Sequence, residues 1–120
     1  MIQHVTRQIA PEALDACIAF YGLLGFVPVE TPPSIADRAV WMQLGPTQLH
    51  LMPVPGTEPA AGHVAVVASP YDTVVGSLEA AGHTVEPRRP HWGAERAYVR
   101  DPFGNLVELM AAPPPGRAAS

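Results

Sequence analysis

TQLHLMP, residues 47–53, alternates apolar and polar side chains around a histidine, and NLVELMA, residues 105–111, repeats the pattern with Glu108 where the first has His50. Alternation with a period of two marks a half-buried strand, so His50 shares a face with Gln48 and Met52, and Glu108 with Leu106 and Met110. The two stretches are 58 positions apart. That offset raises the question of whether the whole chain is two copies of one unit.

Working outward, the copies align. IQHVTRQI (2–9) and HVAVVA (63–68) read as opening strands, rich in β-branched residues. Pro11 with Glu12, and Ser69 with Pro70, open helices, with Ser69 as an N-cap; Gly25 and Gly82 stop them. FVPVE (26–30) and HTVEP (83–87) are short strands limited by proline, RAVWMQL (38–44) and ERAYVR (95–100) are longer ones, and DPFG (101–104) suits a type I turn. His4 precedes His63 by 59 residues, Pro11 precedes Pro70 by 59, Gly25 precedes Gly82 by 57, and Arg38 precedes Arg96 by 58. The unit is therefore β-α-β-β-β, twice. Residues 1–53 form the first module, 54–62 (VPGTEPAAG) a linker and 63–112 the second, within one domain over 1–112; the proline-rich end, 113–120, is expected to be disordered. Each copy is too small to cover its own sheet, so the α+β fold expected is two tandem modules forming a curved mixed sheet around a shared concave cleft.

Bulk properties narrow the function. Of 120 residues, 48% are hydrophobic and 15% charged, a globular balance for one domain. The net charge of −4 gives no footprint for nucleic acid. All seven basic residues are Arg, which excludes Schiff-base and P-loop lysines. Cys17 is alone, on the apolar face of the first helix, where an inert thiol in a reducing compartment is expected. Polar residues interrupt any signal-peptide core at the start, and no run approaches a membrane span, so a cytoplasmic protein is expected. There is no G-x-G-x-x-G after a strand, no G-x-S-x-G, no H-E-x-x-H and no C-x-x-C.

What remains is a set of four. His4, His50, His63 and Glu108 lie on the first and last strands of the two copies, in repeat-related pairs. Three imidazoles and a carboxylate suit Zn²⁺, Fe²⁺, Ni²⁺, Co²⁺ or Mn²⁺, and a metal would relieve the cost of burying Glu108. The resulting local charge suits an anionic or enolate-like small molecule. Glu108 and His50 are the candidate catalytic groups, His50 either as fourth ligand or as general base. Arg100 is placed to hold an anionic substrate, with Trp92, Trp41 and Tyr98 as cleft walls. His83 and His91 lack repeat partners and are read as non-ligands.

The opening HV (4–5), AFYGLLGF (19–26), GHVAVVA (62–68) and above all YVRDPFGNLVELM (98–110) resemble the vicinal oxygen chelate superfamily, which includes glyoxalase I, fosfomycin-resistance thiol transferases, extradiol dioxygenases and bleomycin-resistance proteins. The resemblance covers about residues 2–111 and implies paired βαβββ modules with metal ligands on the first and last strands, at His4, His50, His63 and Glu108. His50 is the departure, since glyoxalase I has Glu or Gln there. The resemblance also implies a homodimer, in some members with the site built across two chains. Three readings follow: a metal-dependent lyase, isomerase or transferase acting on vicinal oxygens; a binding or resistance protein without turnover; and an Fe²⁺ dioxygenase of the extradiol type.

Overall fold

The computed structural model describes residues 1–116, and the expected disorder at 117–120 lies outside the described residues. Strand β1 (His4–Ile9) leads through one turn of 3-10 helix into α1 (Leu14–Leu23), then β2 (Val27–Val29), β3 (Val40–Leu44) and β4 (Thr47–Pro53). The pattern recurs as β5 (His63–Val67), α2 (Tyr71–Ala80), β6 (Glu86–Arg88), β7 (Arg96–Arg100) and β8 (Leu106–Met110). Residues 113–116 belong to no helix or strand. No helix among the described residues is long and apolar enough to cross a membrane.

The strands form two four-stranded mixed sheets, ordered β1-β4-β3-β2 and β5-β8-β7-β6. In each, the first strand runs parallel to the last and the other pairs are antiparallel. Matching helix ends make the repeat concrete. Gly25 and Gly82 both have positive φ, +109° and +93°. The next amide reaches back into the helix, Phe26 to the Tyr21 carbonyl at 3.1 Å and His83 to the Leu78 carbonyl at 3.0 Å. This is the glycine C-cap of a Schellman motif, used twice. It also corrects the expected strand over 83–87: His83 bonds to the helix end, so the strand starts later and runs Glu86–Arg88. Ser69 is not the expected N-cap; Pro70 holds that position, with no side-chain capping bond.

The shared apolar interior lies on the helix side of the sheets, where the two modules meet. Ile9, Phe20, Tyr21 and Leu51 from the first module join Leu78, Val107 and Leu109 from the second in one buried cluster. These are the odd-numbered partners of the polar face: Leu49 and Leu51 flank His50, and Val107 and Leu109 flank Glu108. Burying such side chains is worth roughly 1.5–3 kcal/mol each, which one module could not collect alone. Polar links cross the same seam. Tyr21 donates its hydroxyl to Asp101 Oδ2 at 2.7 Å, Arg7 donates to the Leu106 carbonyl, and Asn105 donates to the Gln8 carbonyl at 3.1 Å. Asp101 Oδ1 also accepts the amides of Phe103, Gly104 and Asn105, which fixes the DPFG turn expected there. Cys17 is buried in this core, and desolvation, with the charge of Asp101, pushes its thiol up to about 12.

Candidate functional site

Strand pairing sets the polar faces. Trp41 and Thr6 stand opposite His50, and Tyr98 and Ala65 opposite Glu108. The true counterpart of Trp41 is therefore Tyr98, an offset of 57, and Arg96 corresponds to Ala39 rather than to Arg38. Each module thus presents a histidine from its first strand, a titratable group from its last and an aromatic ring from its third.

The structure brings the four candidate ligands together as two pairs. In the first module the His4 ring stacks on His50, centroids 4.1 Å apart and planes 16° apart. His50 stacks in turn on Trp41 at 4.2 Å and 3°. In the second module His63 Nε2 lies 3.1 Å from Glu108 Oε1. Among the described residues no three of His, Cys, Asp and Glu gather closely enough to hold a metal ion. The four candidate ligands therefore stand as two separate pairs, one in each module.

His50 has a fixed tautomer. The Gly45 carbonyl can only accept, so Gln43 turns its Nε2 toward it, 2.9 Å away. Gln43 Oε1 then accepts from Gln48 Nε2 at 3.2 Å, which leaves Gln48 Oε1 to accept from His50 Nε2 at 2.9 Å. The proton sits on Nε2 and the lone pair on Nδ1. His50 is buried, and desolvation, helped by the neighbouring His4, lowers its pKa below the usual imidazole value. His4 Nδ1 lies 2.8 Å from Gln3 Oε1, which leaves Nε2 without a partner among the described residues.

Glu108 is buried but not alone. Arg96 Nε donates to Glu108 Oε2 at 2.9 Å. The same guanidinium donates to the Arg89 carbonyl at 2.9 Å and to the Tyr98 hydroxyl oxygen at 3.2 Å. These three bonds fix Arg96, and Arg96 in turn aims the other carboxylate oxygen at His63. The cost of burying Glu108 is thus met by an arginine, so burial alone does not require a metal there.

The donor chemistry nevertheless fits an ion at the second pair. Ligands at about 2.1 Å from a divalent ion and at right angles to each other stand about 3.0 Å apart, close to the 3.1 Å between His63 and Glu108. His4 also fits as a ligand, through its free Nε2. His4 and His50 do not fit as a joint pair in this arrangement. Near-parallel stacked rings cannot both aim an in-plane lone pair at one atom.

Of the expected substrate residues, Tyr98 and Arg100 line a cavity of about 560 Å³ with His83, Glu86 and Leu106. Arg100 is exposed and donates to the Gly104 carbonyl at 2.8 Å. The structure employs Trp92 differently: its indole N–H holds the Ala112 carbonyl at 3.1 Å. A second cavity, about 570 Å³, lies between the modules and is lined by Val5, Arg7, Tyr21, Leu49, His63 and Ala65 among others; His4, His50 and Glu108 are not part of its lining. Arg96, Gln48 and Gln43 escaped the reading of the sequence as site residues. Their signal was period-two alternation from Tyr98 to Arg96 and from His50 to Gln48, visible once the strand register was set.

Comparison with known proteins agrees with this architecture. The family model described as the glyoxalase/bleomycin resistance protein/dioxygenase superfamily matches residues 1–109, so the chain belongs to that superfamily. Among solved structures, a Bacillus anthracis protein described as of the glyoxalase family is 27% identical, with TM-score 0.83 over 92% of this chain and 93% of that one. A lactoylglutathione lyase from Agrobacterium tumefaciens is 26% identical, with TM-score 0.69 over 92% of each chain. The genomically encoded fosfomycin resistance protein FosX from Listeria monocytogenes, at 18% identity, TM-score 0.74 and coverage of 94% and 91%, shares the fold. No curated protein matches the chain.

Proposed function

We propose that the protein is a metal-dependent enzyme of this superfamily, its site assembled from two copies of the chain. His63 and Glu108 of one copy and His4 of the other would hold a first-row divalent ion, with His50 beside them as proton acceptor. The observation that carries this reading is the 3.1 Å approach of His63 Nε2 to Glu108 Oε1, on a sheet face where no third ligand stands close among the described residues. Both ligand-bearing first strands, β1 and β5, are sheet edges. Unpaired edges are surfaces that a two-fold partner can complete, β1 of each copy against β5 of the other. Exposed apolar residues mark these edges: Ile2 just before β1 and Val67 on β5, 74% and 42% exposed.

The ion would supply Lewis-acid stabilisation of charge on two neighbouring oxygens of a small substrate. The chain's own groups do the rest. Arg96 keeps Glu108 oriented, leaving Oε1 to face His63. His50, neutral near pH 7 and unprotonated at Nδ1, accepts a proton there and passes its positive charge toward Gln48. Tyr98 and Arg100 would border the space for substrate. A single buried thiol agrees with a cytoplasmic setting.

One observation favours a second reading, a binding protein without turnover: Arg96 already neutralises Glu108, so the face is stable without an ion. Metal analysis of the purified protein, beside His63→Ala, separates the two. About one ion per chain, lost in the variant, supports the enzyme; metal-free protein that binds small ligands equally well in both forms contradicts it.

A further inference from the structure

A buried cation without a counter-ion stands at the seam between the modules. Arg7 lies on β1 opposite Leu51, on the helix side of the first sheet, and is only 5% exposed. A charge so buried is normally paired, because removing it from water is costly. Among the described residues Arg7 makes no ion pair; one terminal nitrogen donates to the Leu106 carbonyl, and its Nε is buried with no partner. Asp101, buried in the same seam, does not supply one: its Oδ2 accepts from Tyr21 and its Oδ1 from three backbone amides. Arg7 and Tyr21 line the cavity of about 570 Å³ between the modules. That volume is in the range of small-molecule sites, roughly 300–1,000 Å³. Its other walls are chiefly apolar, with Val5 and Leu49 from the first module and Val64 and Val66 from the second. The lining runs from exposed residues at the mouth, Ile2 and Val67, to the buried Arg7, Tyr21 and Leu49.

We propose that this cavity binds an aliphatic monocarboxylate, its carboxylate on the Arg7 guanidinium and its chain between the edges of β1 and β5. The planar guanidinium carries five N–H donors in a fork that matches a carboxylate, and most of them are unused among the described residues. A singly charged head restores neutrality beside Arg7, whereas a doubly charged phosphate would leave excess charge among apolar walls. The aliphatic walls suit a hydrocarbon chain, which gains by leaving water. An occupant touches both modules and so ties β1 to β5. His4, His50 and Glu108 are outside the lining, so the ligand is an effector rather than the substrate. Ile2 and Val67 stand where the second copy is proposed to meet the first, and that copy would close over the mouth of the cavity. The inference goes beyond the enzyme reading and needs no metal.

The test is titration of chelator-treated protein with octanoate, followed by calorimetry, by the Tm and by the arginine Nε–Hε NMR signals. Octan-1-ol supplies the chain without the charge, acetate the charge without the chain, and octyl phosphate a double charge. The expected result is saturable octanoate binding at one site per chain, with a shifted Arg7 signal and a raised Tm, at least tenfold tighter than any of the three controls. Arg7→Met should lose at least tenfold and bind octanoate no better than octan-1-ol. Val64→Phe, which keeps Arg7 and fills the cavity from the second module, should also lose at least tenfold, and Arg100→Gln should bind as wild type. If Arg7→Met does not fold, the Arg7 signal, the ratio of octanoate to octan-1-ol affinity and Val64→Phe still decide. Absence of octanoate binding, equal binding of octan-1-ol, tighter binding of octyl phosphate, unchanged affinity in Val64→Phe or loss in Arg100→Gln overturns the proposal. Because the protein is metal-free throughout, failure here is distinct from absence of metal in the purified protein.

Discussion

His50 Nε2 lies 2.9 Å from Gln48 Oε1, and that bond, traced back through Gln43 to the Gly45 carbonyl, decides which nitrogen of the buried imidazole carries its proton. A backbone carbonyl cannot reverse its role, so it orients both amides and fixes the tautomer. The base proposed for this site is therefore Nδ1.

Gln48→Met should remove this control. In the wild type, nitrogen NMR of the imidazole is expected to show Nε2 protonated and Nδ1 bare. In the variant the two tautomers should mix, while Gln48→Glu, which keeps an acceptor, should restore the single form. An unchanged tautomer in Gln48→Met would remove Gln48 from this role.

The lowered pKa of His50 sets a pH dependence in metal-free protein. Its native pKa is below the unfolded value of about 6.5, so between those two values the unfolded chain binds more protons than the native one. The stability due to neutral His50 is thus fully present above about 6.5 and is lost as pH falls from there through the native pKa. Unfolding midpoints across this window should fall less steeply with acid in His50→Gln, and identical slopes in the two proteins would count against it.

Arg96→Met should leave Glu108 with His63 as its sole partner. The expected outcome is a lower Tm, read by thermal unfolding. Adding Glu108→Gln should recover much of the lost stability, because the uncompensated charge is then gone. Additive losses in the double variant would show that Arg96 does not act through Glu108.

Tyr21→Phe should cost about 2 kcal/mol, the usual range for a buried hydrogen bond to a charged group, since it deletes the 2.7 Å bond to Asp101 that ties the two modules. Denaturant unfolding measures it; a loss below about 0.5 kcal/mol would mean that this bond does not hold the seam.

Cys17 should resist alkylation in the native state at pH 8, with a thiol pushed up to about 12. The neutral thiol stabilises the native protein fully below its unfolded pKa of 9.0, and this contribution is lost as pH rises from there toward about 12. Modification at the rate of a free thiol would contradict the buried placement.

Much of this was legible in the chain. The period-two runs around His50 and Glu108 placed both on polar faces, and Gly25 and Gly82 marked two equivalent helix ends that the structure closes with the same bonds. What escaped depended on register and on contacts distant in sequence. A one-residue slip hid the correspondence of Trp41 with Tyr98, and with it the place of Arg96 beside Glu108. Helix endings hid the late start of β6, because Gly82 and His83 were committed to the cap of α2. The pairing of modules through the helix side follows from residues such as Ile9 and Leu109, whose partners lie a hundred positions away. No local pattern encodes whether two such pairs meet within one chain or between two.

The most direct test of the proposed two-chain centre is a mixing experiment. His4→Ala and Glu108→Gln are prepared separately, shown to have lost metal, then unfolded together, refolded and loaded. If His4 of one copy joins His63 and Glu108 of the other, each mixed dimer has one intact site, and about a quarter of the wild-type metal content should return. A mixture that binds no more metal than the variants apart would contradict the two-chain site.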